Sequence, residues 1–377
     1  MPRILILASI SKAFRNFSFE LLEAMLADGC EVVISIPDDP VNADFEKIGC
    51  RVIPSRLSRH GMDPFAELRL LAEYRSLLRT LRPDVVLTYT IKPNSYGGLL
   101  CRLLHIPYLV TITGLGTIFY NDSFVNRMIR RLLRAGIAGA GCILFQNEYN
   151  RDLLVQKGFV HGKNRLVAGS GVNLTKHSLL PFPPDDGKVR FLLAARAQKE
   201  KGVAEYLEAA ERILSRHPEC EFHFAGLSEE PEYAEKIRLA HGKGVLVDHG
   251  FLPFPEMRKL MESIQAVVLP SWHEGMSNIL LESAAAGRPI LASDIPGCRE
   301  TMVHGRSGFL FTPRDADSLV AALEQFLALS RTEREIMGQE GRRHVEDRFD
   351  RRKVVDAYLT EIRSLLAGPS RKGLPSA

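Results

Sequence analysis

Short apolar runs separated by longer amphipathic segments recur along the first part of the chain. The runs lie at residues 4–8, 31–36, 84–88, 108–113 and 142–146. Helical spacing of apolar positions lies between them, at 18–26 and at 64–81, where Asp63 is a candidate N-cap and Pro64 the first helical residue. Continuous apolar runs that alternate with helical segments are typical of a parallel sheet covered on both faces. The first series therefore predicts an α/β domain.

The pattern breaks at residues 179–187, a Pro-rich stretch, and then starts again. The second series of apolar runs lies at 189–194, 222–225, 245–247, 267–269 and 289–292. We therefore expect two Rossmann-like domains, at 1–175 and 188–350. A helix at 351–366 is expected to pack back on the first domain, and a frayed tail follows at 368–377. Ligands of such sheets bind beyond the carboxyl ends of the strands, which predicts a site in a cleft between the domains.

The composition is that of an ordinary globular protein. The 377 residues exceed the usual size of one domain, and 45% of them are hydrophobic and 25% charged. The first residues lead directly into an apolar run without a signal-peptide pattern, and no apolar stretch is long enough to span a bilayer. The six cysteines lack C-x-x-C spacing, which favours reduced thiols over disulfides or zinc. We therefore expect a cytoplasmic protein.

Positive charge is concentrated in the first half of the chain. Residues 1–175 contain 21 Lys and Arg against 15 Asp and Glu, whereas the remainder contains 28 against 30. A basic first half favours an anionic partner there, whether phosphate-bearing lipid, membrane surface or nucleic acid. Nucleic acid is the weakest of these, because no helix-turn-helix, zinc or RNP motif accompanies the charge.

The most informative segment of the chain is 264–286. An apolar run that ends at Pro270 is followed by Trp-His-Glu-Gly-Met-Ser-Asn and then by a helical segment with an apolar face. Such a strand-to-helix turn presents backbone N–H groups at the positive end of the helix dipole, where phosphate binds. Glu274 lies in the turn and Glu282 about two helical turns later. Carboxylates beside an anion site suit a ligand that carries sugar hydroxyls as well as phosphate, although an acidic residue that favours the helix dipole and a surface glutamate would give the same pattern.

The segment from Glu274 to Glu282 resembles the E-x7-E signature of retaining, nucleotide-sugar-dependent glycosyltransferases of family 4, which have the GT-B fold. Further blocks resemble that family in the same order along the chain. Residues 195–202 are similar to its basic phosphate clamp, 224–226 to the strand end that follows, and 249–253 to its base-contacting loop. Residues 289–300 and 305–310 complete the pattern. Six blocks in order make a specific match, although any one alone is weak.

The resemblance implies a GT-B architecture, with two parallel sheets facing across a cleft, and a UDP-sugar as donor. Fixed cations that face the departing nucleoside diphosphate stabilise its developing charge. We assign catalysis to Arg196, Lys201 and Glu274. As the resemblance implies, Glu274 is expected to hold the hydroxyls of the donor sugar, and the expected donor-sugar and diphosphate site also contains Gly275, Met276, Ser277 and Asn278. Glu282 is expected to bind the ribose hydroxyls, and the expected nucleotide site further contains Arg196, Lys201, Phe251, Leu252 and Asn278.

The first domain resembles a narrower subgroup of this family. Ser9-Ile10-Ser11-Lys12 stands where many relatives carry a Gly-Gly pair, and Thr113-Gly114-Leu115-Gly116 stands where many carry a His-Asp pair. With the stretch 88–94, these substitutions are similar to enzymes that add N-acetylhexosamines to polyprenyl-diphosphate-linked glycans in bacterial surface polysaccharide or glycoprotein assembly. The resemblance makes four residues candidates for acceptor contacts: Asn16, Lys92, Thr113 and Gly114. Lys92 could equally be a surface lysine.

Residues 123–137 predict a basic amphipathic helix. Phe124, Val125, Met128, Ile129, Leu132, Leu133 and Ile137 share one face, and Arg127, Arg130, Arg131 and Arg134 share another. Such a helix suits an anionic membrane interface, although a helix with its apolar face in the core and a solvated arginine face has the same pattern. Together with the resemblance, this predicts peripheral association with the inner face of the bacterial plasma membrane.

No cofactor is expected. The D-x-D sequence Asp315-Ala316-Asp317 stands before a helical segment and is better explained by helix capping than by metal binding. Cationic side chains neutralise the diphosphate, so we expect metal-independent activity. A Rossmann oxidoreductase lacks support because the first loop has no G-x-G-x-x-G. A nonhydrolysing nucleotide-sugar epimerase of the same fold and a glycosyltransferase with a soluble acceptor remain alternatives.

Overall fold

The structure is a computed structural model, and it describes residues 1–57, 63–119, 122–228 and 230–368. The chain divides into two compact units. Unit 1 comprises residues 1–170 together with the segment that begins at residue 352, and unit 2 comprises residues 171–351. Within the described residues each unit is built on one parallel sheet, of seven strands in unit 1 and six in unit 2. The predicted α/β class with two Rossmann-like domains is therefore confirmed.

The elements of unit 1 alternate between strand and helix. Its strands are β1 (Arg3–Leu7), β2 (Glu31–Pro37), β3 (Arg51–Ser55), β4 (Val85–Tyr89), β5 (Tyr108–Ile112), β6 (Cys142–Phe145) and β7 (Asn164–Leu166). Its first helices are α1 (Ser11–Ala27), α2 (Asn42–Lys47), α3 (Pro64–Leu81), α4 (Gly98–Leu103), α5 (Phe124–Ile137) and α6 (Glu148–Gln156). A π-helical turn, Pro93–Gly97, leads directly into α4.

Unit 2 repeats this organisation. Its strands are β8 (Val189–Ala194), β9 (Cys220–Ala225), β10 (Val247–Asp248), β11 (Ala266–Leu269), β12 (Ile290–Ser293) and β13 (Gly308–Phe311). Its helices are α7 (Val203–Leu214), α8 (Pro231–Gly242), α9 (Phe254–Ser263), α10 (Asn278–Ala285), α11 (Ala316–Leu327) and α12 (Arg331–Arg348). Helix α13 (Arg351–Leu366) follows and belongs, from residue 352, to unit 1.

Each sheet has one point where the direction of its connections reverses. The strand order is β3-β2-β1-β4-β5-β6-β7 in unit 1 and β10-β9-β8-β11-β12-β13 in unit 2. The reversal therefore lies between β1 and β4 in unit 1 and between β8 and β11 in unit 2. In open α/β sheets ligands bind beyond the carboxyl ends of the strands at such a switch point.

The core of unit 1 lies on both faces of its sheet. Buried residues of α1 and α13 pack on one face, and buried residues of α3, α4 and α5 pack on the other. Tyr358 of α13 is 3% exposed, and its hydroxyl lies 3.0 Å from the hydroxyl of Thr111 in β5. Helix α13 is thus an integral layer of unit 1, although unit 2 separates it from the rest of that unit in sequence.

The Pro-rich stretch at 179–187 belongs to unit 2. The fully buried Arg288 donates from Nη2 to the carbonyl of Pro181 at 2.7 Å and from Nε to the carbonyl of Met261 at 2.9 Å. Its guanidinium also lies over the ring of Phe182. The backbone carbonyls therefore anchor this stretch to the body of unit 2, and burial lowers the pKa of Arg288 to about 10.

The strongest element predictions are confirmed, and the weakest patterns were missed. Helix α3 has the predicted bounds, and Asp63 caps it by accepting from the backbone N–H of Phe65 at 3.1 Å. The sequence analysis did not identify β3, β7 or α12. Strand β3 is largely solvent-accessible and β7 is short and polar, so neither forms a buried apolar run. The predicted tail lies, beyond residue 368, outside the described residues.

Candidate functional site

The candidate site is built at the switch point of unit 2, between β8 and β11. Arg196 and Lys201 follow β8, and Glu274 follows β11. The ammonium of Lys201 donates to Oε1 of Glu274 at 2.5 Å, and the hydroxyl of Ser271 donates to the same oxygen at 2.8 Å. The side chains of Lys201 and Glu274 are 19% and 15% exposed. The structure thus brings a cation and a carboxylate together where the fold places ligands.

The loop that carries the cations packs closely on the end of β11. Residues Lys199–Lys201 form a 3-10 turn, and Gly202 follows with a φ of +70°. A Cβ at Gly202 would lie 2.1 Å from the carbonyl oxygen of Pro270, so only glycine allows this approach. Arg196 is half-buried directly after the strand. The loop therefore has little freedom to withdraw Lys201 from Glu274.

Helix α10 begins at Asn278, in the turn that carries Glu274. The N-cap residue Ser277 makes no side-chain capping hydrogen bond, unlike Ser123, Asp315 and Ser330 at three other helices. Gly275 and Asn278 are half-buried, and Met276 and Ser277 are buried. Because the first N–H groups of a helix need acceptors, an uncapped terminus beside Lys201 is suited to a phosphate group.

Gly297 holds the turn in place. The backbone N–H of Ser277 donates to the carbonyl of Gly297 at 2.9 Å, and Gly297 has a φ of +82°. A Cβ at this position would lie 2.6 Å from the carbonyl oxygen of Gly275. The loop after β12 therefore holds the backbone of residues 274–277 in place.

Trp272 joins three loops around the site, and the sequence analysis assigned it no role. Its indole Nε1 donates to Glu205 at 2.8 Å, and its backbone N–H donates to the carbonyl of Glu200 at 2.9 Å. The guanidinium of Arg314 lies 4.4 Å and the ammonium of Lys199 5.5 Å from its ring. Only the three-dimensional arrangement reveals these contacts, since their partners lie far apart in sequence. Trp272 therefore fixes the loops that carry Lys201 and Glu274.

Glu282 lies on α10, and its carboxylate is accompanied by a histidine that the sequence analysis missed. Nε2 of His177 lies 3.8 Å from Oε1 of Glu282. Burial raises the pKa of Glu282 to about 7, against the opposing effect of the cations Lys176 and Arg351. The sequence-predicted ribose ligand is therefore a carboxylate whose ionisation is unfavourable in this environment.

The predicted base-contacting loop follows β10. Phe251 is 63% exposed and Leu252 is half-buried. The backbone N–H of Gly226 donates to the carbonyl of Gly250 at 2.8 Å, and Nδ1 of the buried His223 lies 2.9 Å from Nε2 of His249. The backbone of the loop is therefore anchored, while the Phe251 ring is presented to solvent.

The candidate acceptor residues lie at the carboxyl edge of the unit 1 sheet. Asn16 is exposed on α1, and Thr113 and Gly114 are half-buried after β5. Lys92 lies after β4, and its ammonium donates to Glu67 of α3 at 2.6 Å, with both side chains mostly buried. Lys92 is therefore not an isolated surface lysine but one half of a shielded ion pair.

Helix α5 is amphipathic, and its buried residues lie in the second half of the helix. Leu133 and Ile137 are buried, whereas Phe124 is 72% exposed and Val125 and Met128 are also exposed. Among the arginines predicted to face the membrane, Arg127, Arg131 and Arg134 are exposed. The fourth, Arg130, is half-buried, and both Arg130 and Arg127 pair with Asp122. Core packing therefore does not account for Phe124, Val125 and Met128, whereas Ile129 of the same half packs against the core of unit 1.

The described residues contain no group of three or more His, Cys, Asp or Glu side chains arranged to hold a metal ion. Asp315 accepts from the backbone N–H of Ser318 at 2.9 Å, which confirms it as the N-cap of α11. Asp317 pairs with Arg212 at 2.7 Å. Among the residues that the structure describes, no helix combines the length and the apolar character needed to cross a membrane.

Comparison with known sequences matches both units to glycosyltransferases. The family described as glycosyl transferases group 1 matches residues 181–344, and the glycosyl transferase 4-like domain matches residues 16–169. An N,N'-diacetylbacillosaminyl-diphospho-undecaprenol alpha-1,3-N-acetylgalactosaminyltransferase of Campylobacter jejuni is 24% identical over 333 residues. The match covers 84% of this chain and 87% of that protein.

Comparison with solved structures shows the fold. Sucrose-phosphate synthase from Thermosynechococcus elongatus has a TM-score of 0.79 at 17% identity, with 98% of this chain and all of that chain covered. The Anabaena protein HepE, solved in complex with UDP and glucose, has a TM-score of 0.77 at 15% identity, with 97% of this chain and all of that chain covered. These likenesses confirm the expected GT-B fold class.

Proposed function

Because the chain belongs to the group 1 glycosyltransferases of the GT-B type, we propose a specific reaction for it. It transfers an N-acetylhexosamine, with retention of configuration, from a UDP-sugar to a polyprenyl-diphosphate-linked glycan. The observation that carries this proposal is the Lys201–Glu274 pair beside the uncapped start of α10. A cation and the first N–H groups of a helix without a side-chain cap suit the diphosphate, and the adjacent carboxylate suits the hydroxyls of the attached sugar.

The donor half of the reaction follows from this arrangement. The bond between the anomeric carbon and the diphosphate oxygen breaks, and its electron pair remains on the leaving oxygen. Arg196, Lys201 and the first N–H groups of α10 stabilise that developing negative charge. The acceptor hydroxyl attacks from the same face, and its proton passes to the leaving oxygen, so the products are UDP and the extended glycan. Glu274 holds the donor sugar in place during this exchange.

The nucleotide is held farther along the same unit. Glu282 accepts hydrogen bonds from the ribose hydroxyls, and the base lies against Phe251 and Leu252. Gly275, Met276, Ser277 and Asn278 surround the diphosphate. Because side-chain cations neutralise the leaving group, we expect activity to survive EDTA in an assay of initial rate. Complete loss that only Mg²⁺ or Mn²⁺ restores would contradict this expectation.

The acceptor half of the proposal rests on unit 1. The Campylobacter jejuni relative is named for a diphospho-undecaprenol substrate and an N-acetylgalactosaminyl group, which supports a lipid-linked acceptor and an N-acetylhexosamine donor here. Asn16, Lys92, Thr113 and Gly114 provide polar groups at one edge of the unit 1 sheet. Their position beyond the carboxyl ends of the strands is the usual place for a ligand.

Helix α5 brings unit 1 to an anionic membrane in this proposal. Its exposed apolar residues, Phe124, Val125 and Met128, stand beside the exposed Arg127 and Arg131. Apolar side chains that enter the interface and arginines that meet acidic head groups are the two contributions that hold an interfacial helix. The enzyme would then act at the inner face of the bacterial plasma membrane, where a lipid-linked acceptor is presented.

A donor and acceptor titration tests the reaction. Purified protein is incubated with UDP-N-acetylglucosamine, UDP-N-acetylgalactosamine or UDP-glucose and a short-chain polyprenyl-diphosphate-linked N-acetylhexosamine, and the products are weighed by mass spectrometry. We expect the acceptor to gain one N-acetylhexosamine. Isomerisation of the UDP-sugar without transfer would instead indicate an epimerase, and transfer only to water-soluble glycans would indicate a soluble acceptor.

A further inference from the structure

A short loop at the start of unit 2 lies against the proposed ribose ligand. Residues 173–178 precede β8 and belong to unit 2. Nε2 of His177 in this loop lies 3.8 Å from Oε1 of Glu282 on α10. The positive charge of Lys176 in the same loop favours the ionised form of that carboxylate. We name residues 173–178 the unit 2 entry loop.

The backbone of the entry loop is fixed by its own hydrogen bonds. Oδ1 of Asn173 accepts from the backbone N–H of Thr175 at 3.1 Å and from that of Lys176 at 2.9 Å. The backbone N–H of His177 donates to the carbonyl of Asn173 at 2.8 Å. An Asn side chain that accepts from the N–H groups just after it stabilises a turn. This turn therefore determines where the His177 side chain leaves the backbone.

Arg342 of α12 ties the entry loop to the helix that carries Glu282. Its Nη1 donates to the carbonyl of His177 at 2.9 Å and to the carbonyl of Ala285, at the end of α10, at 2.6 Å. Nε of the same side chain donates to Glu346 at 2.5 Å. One guanidinium thus bridges the two segments and fixes the distance between His177 and α10.

The start of α9 packs against the same loop. The ring of His177 meets the ring of Phe254 edge-on, with the ring centroids 5.1 Å apart. The ammonium of Lys176 lies 4.5 Å from the centroid of the Phe254 ring, which is a cation–π distance. Phe254 directly follows the predicted base-contacting loop at 249–253. The entry loop therefore lies where the predicted base loop and the proposed ribose ligand meet.

The carboxylate of Glu282 can serve the protein with one oxygen and the nucleotide with the other. At 3.8 Å, Nε2 of His177 is too far from Oε1 for a hydrogen bond, and a movement of about 1 Å would make one. The two side chains are 13% and 31% exposed, so they are more shielded than an ordinary surface pair. Ribose hydroxyls at Oε2 would favour the ionised carboxylate, which is the stronger acceptor for the imidazole N–H.

We propose that His177 is a positioning residue of the nucleotide site, and that it orients the Glu282 carboxylate toward the ribose by donating a hydrogen bond to Oε1. This inference rests on the proposed function and adds a residue to its donor half. Lys176, with its ammonium on the ring of Phe254, adds charge that favours the ionised carboxylate. Because the ribose takes no part in bond breaking, His177 contributes to binding and not to turnover.

Calorimetric titration with UDP tests this role. His177→Phe keeps an aromatic ring against Phe254 but removes the imidazole nitrogens, and it should weaken UDP binding roughly 3- to 10-fold, as the loss of one hydrogen bond does. The dideoxy analogue of UDP, which lacks both ribose hydroxyls, should bind the wild type and the variant equally. His177→Gln, whose amide N–H can also donate to Glu282, should retain more affinity than His177→Phe. His161→Phe, at an exposed position after α6, is the matched control.

A double mutant and a kinetic assay distinguish positioning from a structural role. In a Glu282→Ala background, His177→Phe should cause no further loss of UDP affinity, because the carboxylate on which it acts is absent. With a UDP-sugar as substrate, His177→Phe should raise KM and leave kcat unchanged, since the ground state and the transition state share the ribose contacts.

The outcomes separate this inference from the proposed function. Unchanged UDP affinity in His177→Phe would overturn the positioning role, while sugar transfer by the wild type would leave the proposed function standing. Equal losses for UDP and its dideoxy analogue, or an equal loss in the Glu282→Ala background, would show that His177 serves only the fold and would also overturn it. A wild type that binds UDP with the expected dependence on His177 but transfers no sugar would contradict the proposed function alone.

Discussion

Glu282, the proposed ribose ligand, carries a cost in the free protein. Its pKa is raised to about 7 by burial, well above the ordinary value for glutamate. The folded chain therefore holds this proton more tightly than the unfolded chain does. The contribution of the protonated form to stability is fully present below about pH 4.5 and is lost as pH rises through about 7. Hydrogen bonds from ribose hydroxyls would favour the ionised carboxylate and so offset the free-energy cost of ionising Glu282 in the folded protein.

We predict that Glu282→Gln separates these two effects. The variant should unfold at a higher temperature than the wild type at pH 8, and the difference should vanish near pH 4.5, because the amide does not ionise. Its affinity for UDP should fall. The increase in UDP affinity between pH 6 and pH 8 should also be smaller in the variant than in the wild type. Thermal melts and calorimetry over this pH range measure both. Equal UDP affinity of the two proteins would remove Glu282 from the ribose role.

Lys201 tests the assignment of the leaving-group cation. Lys201→Ala should lower turnover by about 100-fold or more, because the lost interaction acts on charge that develops in the transition state. Removing the ammonium also leaves Glu274 as a shielded, unpaired carboxylate, so Lys201→Ala with Glu274→Gln is needed to separate catalysis from stability. Lys243→Ala, an exposed position after α8, is the control. Turnover near that of the control would place the phosphate clamp elsewhere.

At the scale of elements, helix α5 makes the membrane contact testable. Replacing Arg127, Arg131 and Arg134 with Gln should abolish cosedimentation with vesicles that contain acidic phospholipid, since each arginine near such a surface contributes about 1 kcal/mol. Binding of the wild type should weaken as salt rises. The variant should show a raised KM for a polyprenyl-linked acceptor in vesicles and an unchanged KM for a short-chain soluble analogue.

The apolar residues of α5 provide a second arm of that experiment. Phe124→Ser with Met128→Ser should weaken vesicle binding even when the arginines are intact, because exposed apolar area also contributes to insertion. Arg82→Gln, at the left-handed C-cap of α3, changes an exposed arginine outside this helix and serves as the control. Full vesicle binding by both α5 variants would leave the helix as a solvated face.

Elements were predictable from sequence where local chemistry and pattern agreed. Asp63 and Pro64 mark the start of α3, and the helix has the first and last residues that the sequence pattern predicts. Helix α12 was missed because its sequence is mostly polar, with few apolar residues such as the buried Met337 and Val345, although Ser330 and Glu333 form a capping box that marks its start. At the site, Glu274 and Lys201 could be found through the resemblance. The roles of Trp272, His177 and Glu67 could not, because each depends on a partner that only the fold brings close.

At the scale of the molecule, α13 supplies part of the core of unit 1. Tyr358 packs in the core, and its ring stacks on that of Tyr89 with centroids 6.2 Å apart. Tyr358→Ala should destabilise unit 1 by about 3–5 kcal/mol, as other aromatic truncations in cores do. We expect two unfolding transitions in denaturant, one for each unit. The substitution should shift the transition of unit 1, and UDP should shift the transition of unit 2. Tyr149→Ala, 43% exposed on α6, is the control. Equal shifts of both transitions would contradict independent units.

The divided sequence of unit 1 has a consequence for biosynthesis. Domains usually fold in the order in which the ribosome makes them. Here the continuous stretch 171–351 contains all of unit 2, whereas one face of the unit 1 sheet lacks α13 until residues beyond 352 have left the ribosome. The half of the enzyme that is synthesised second is therefore the first that can complete its core. In the meantime the nascent first half carries an apolar sheet face that α1 covers only in part, and it is the part of the chain that chaperones have most reason to bind.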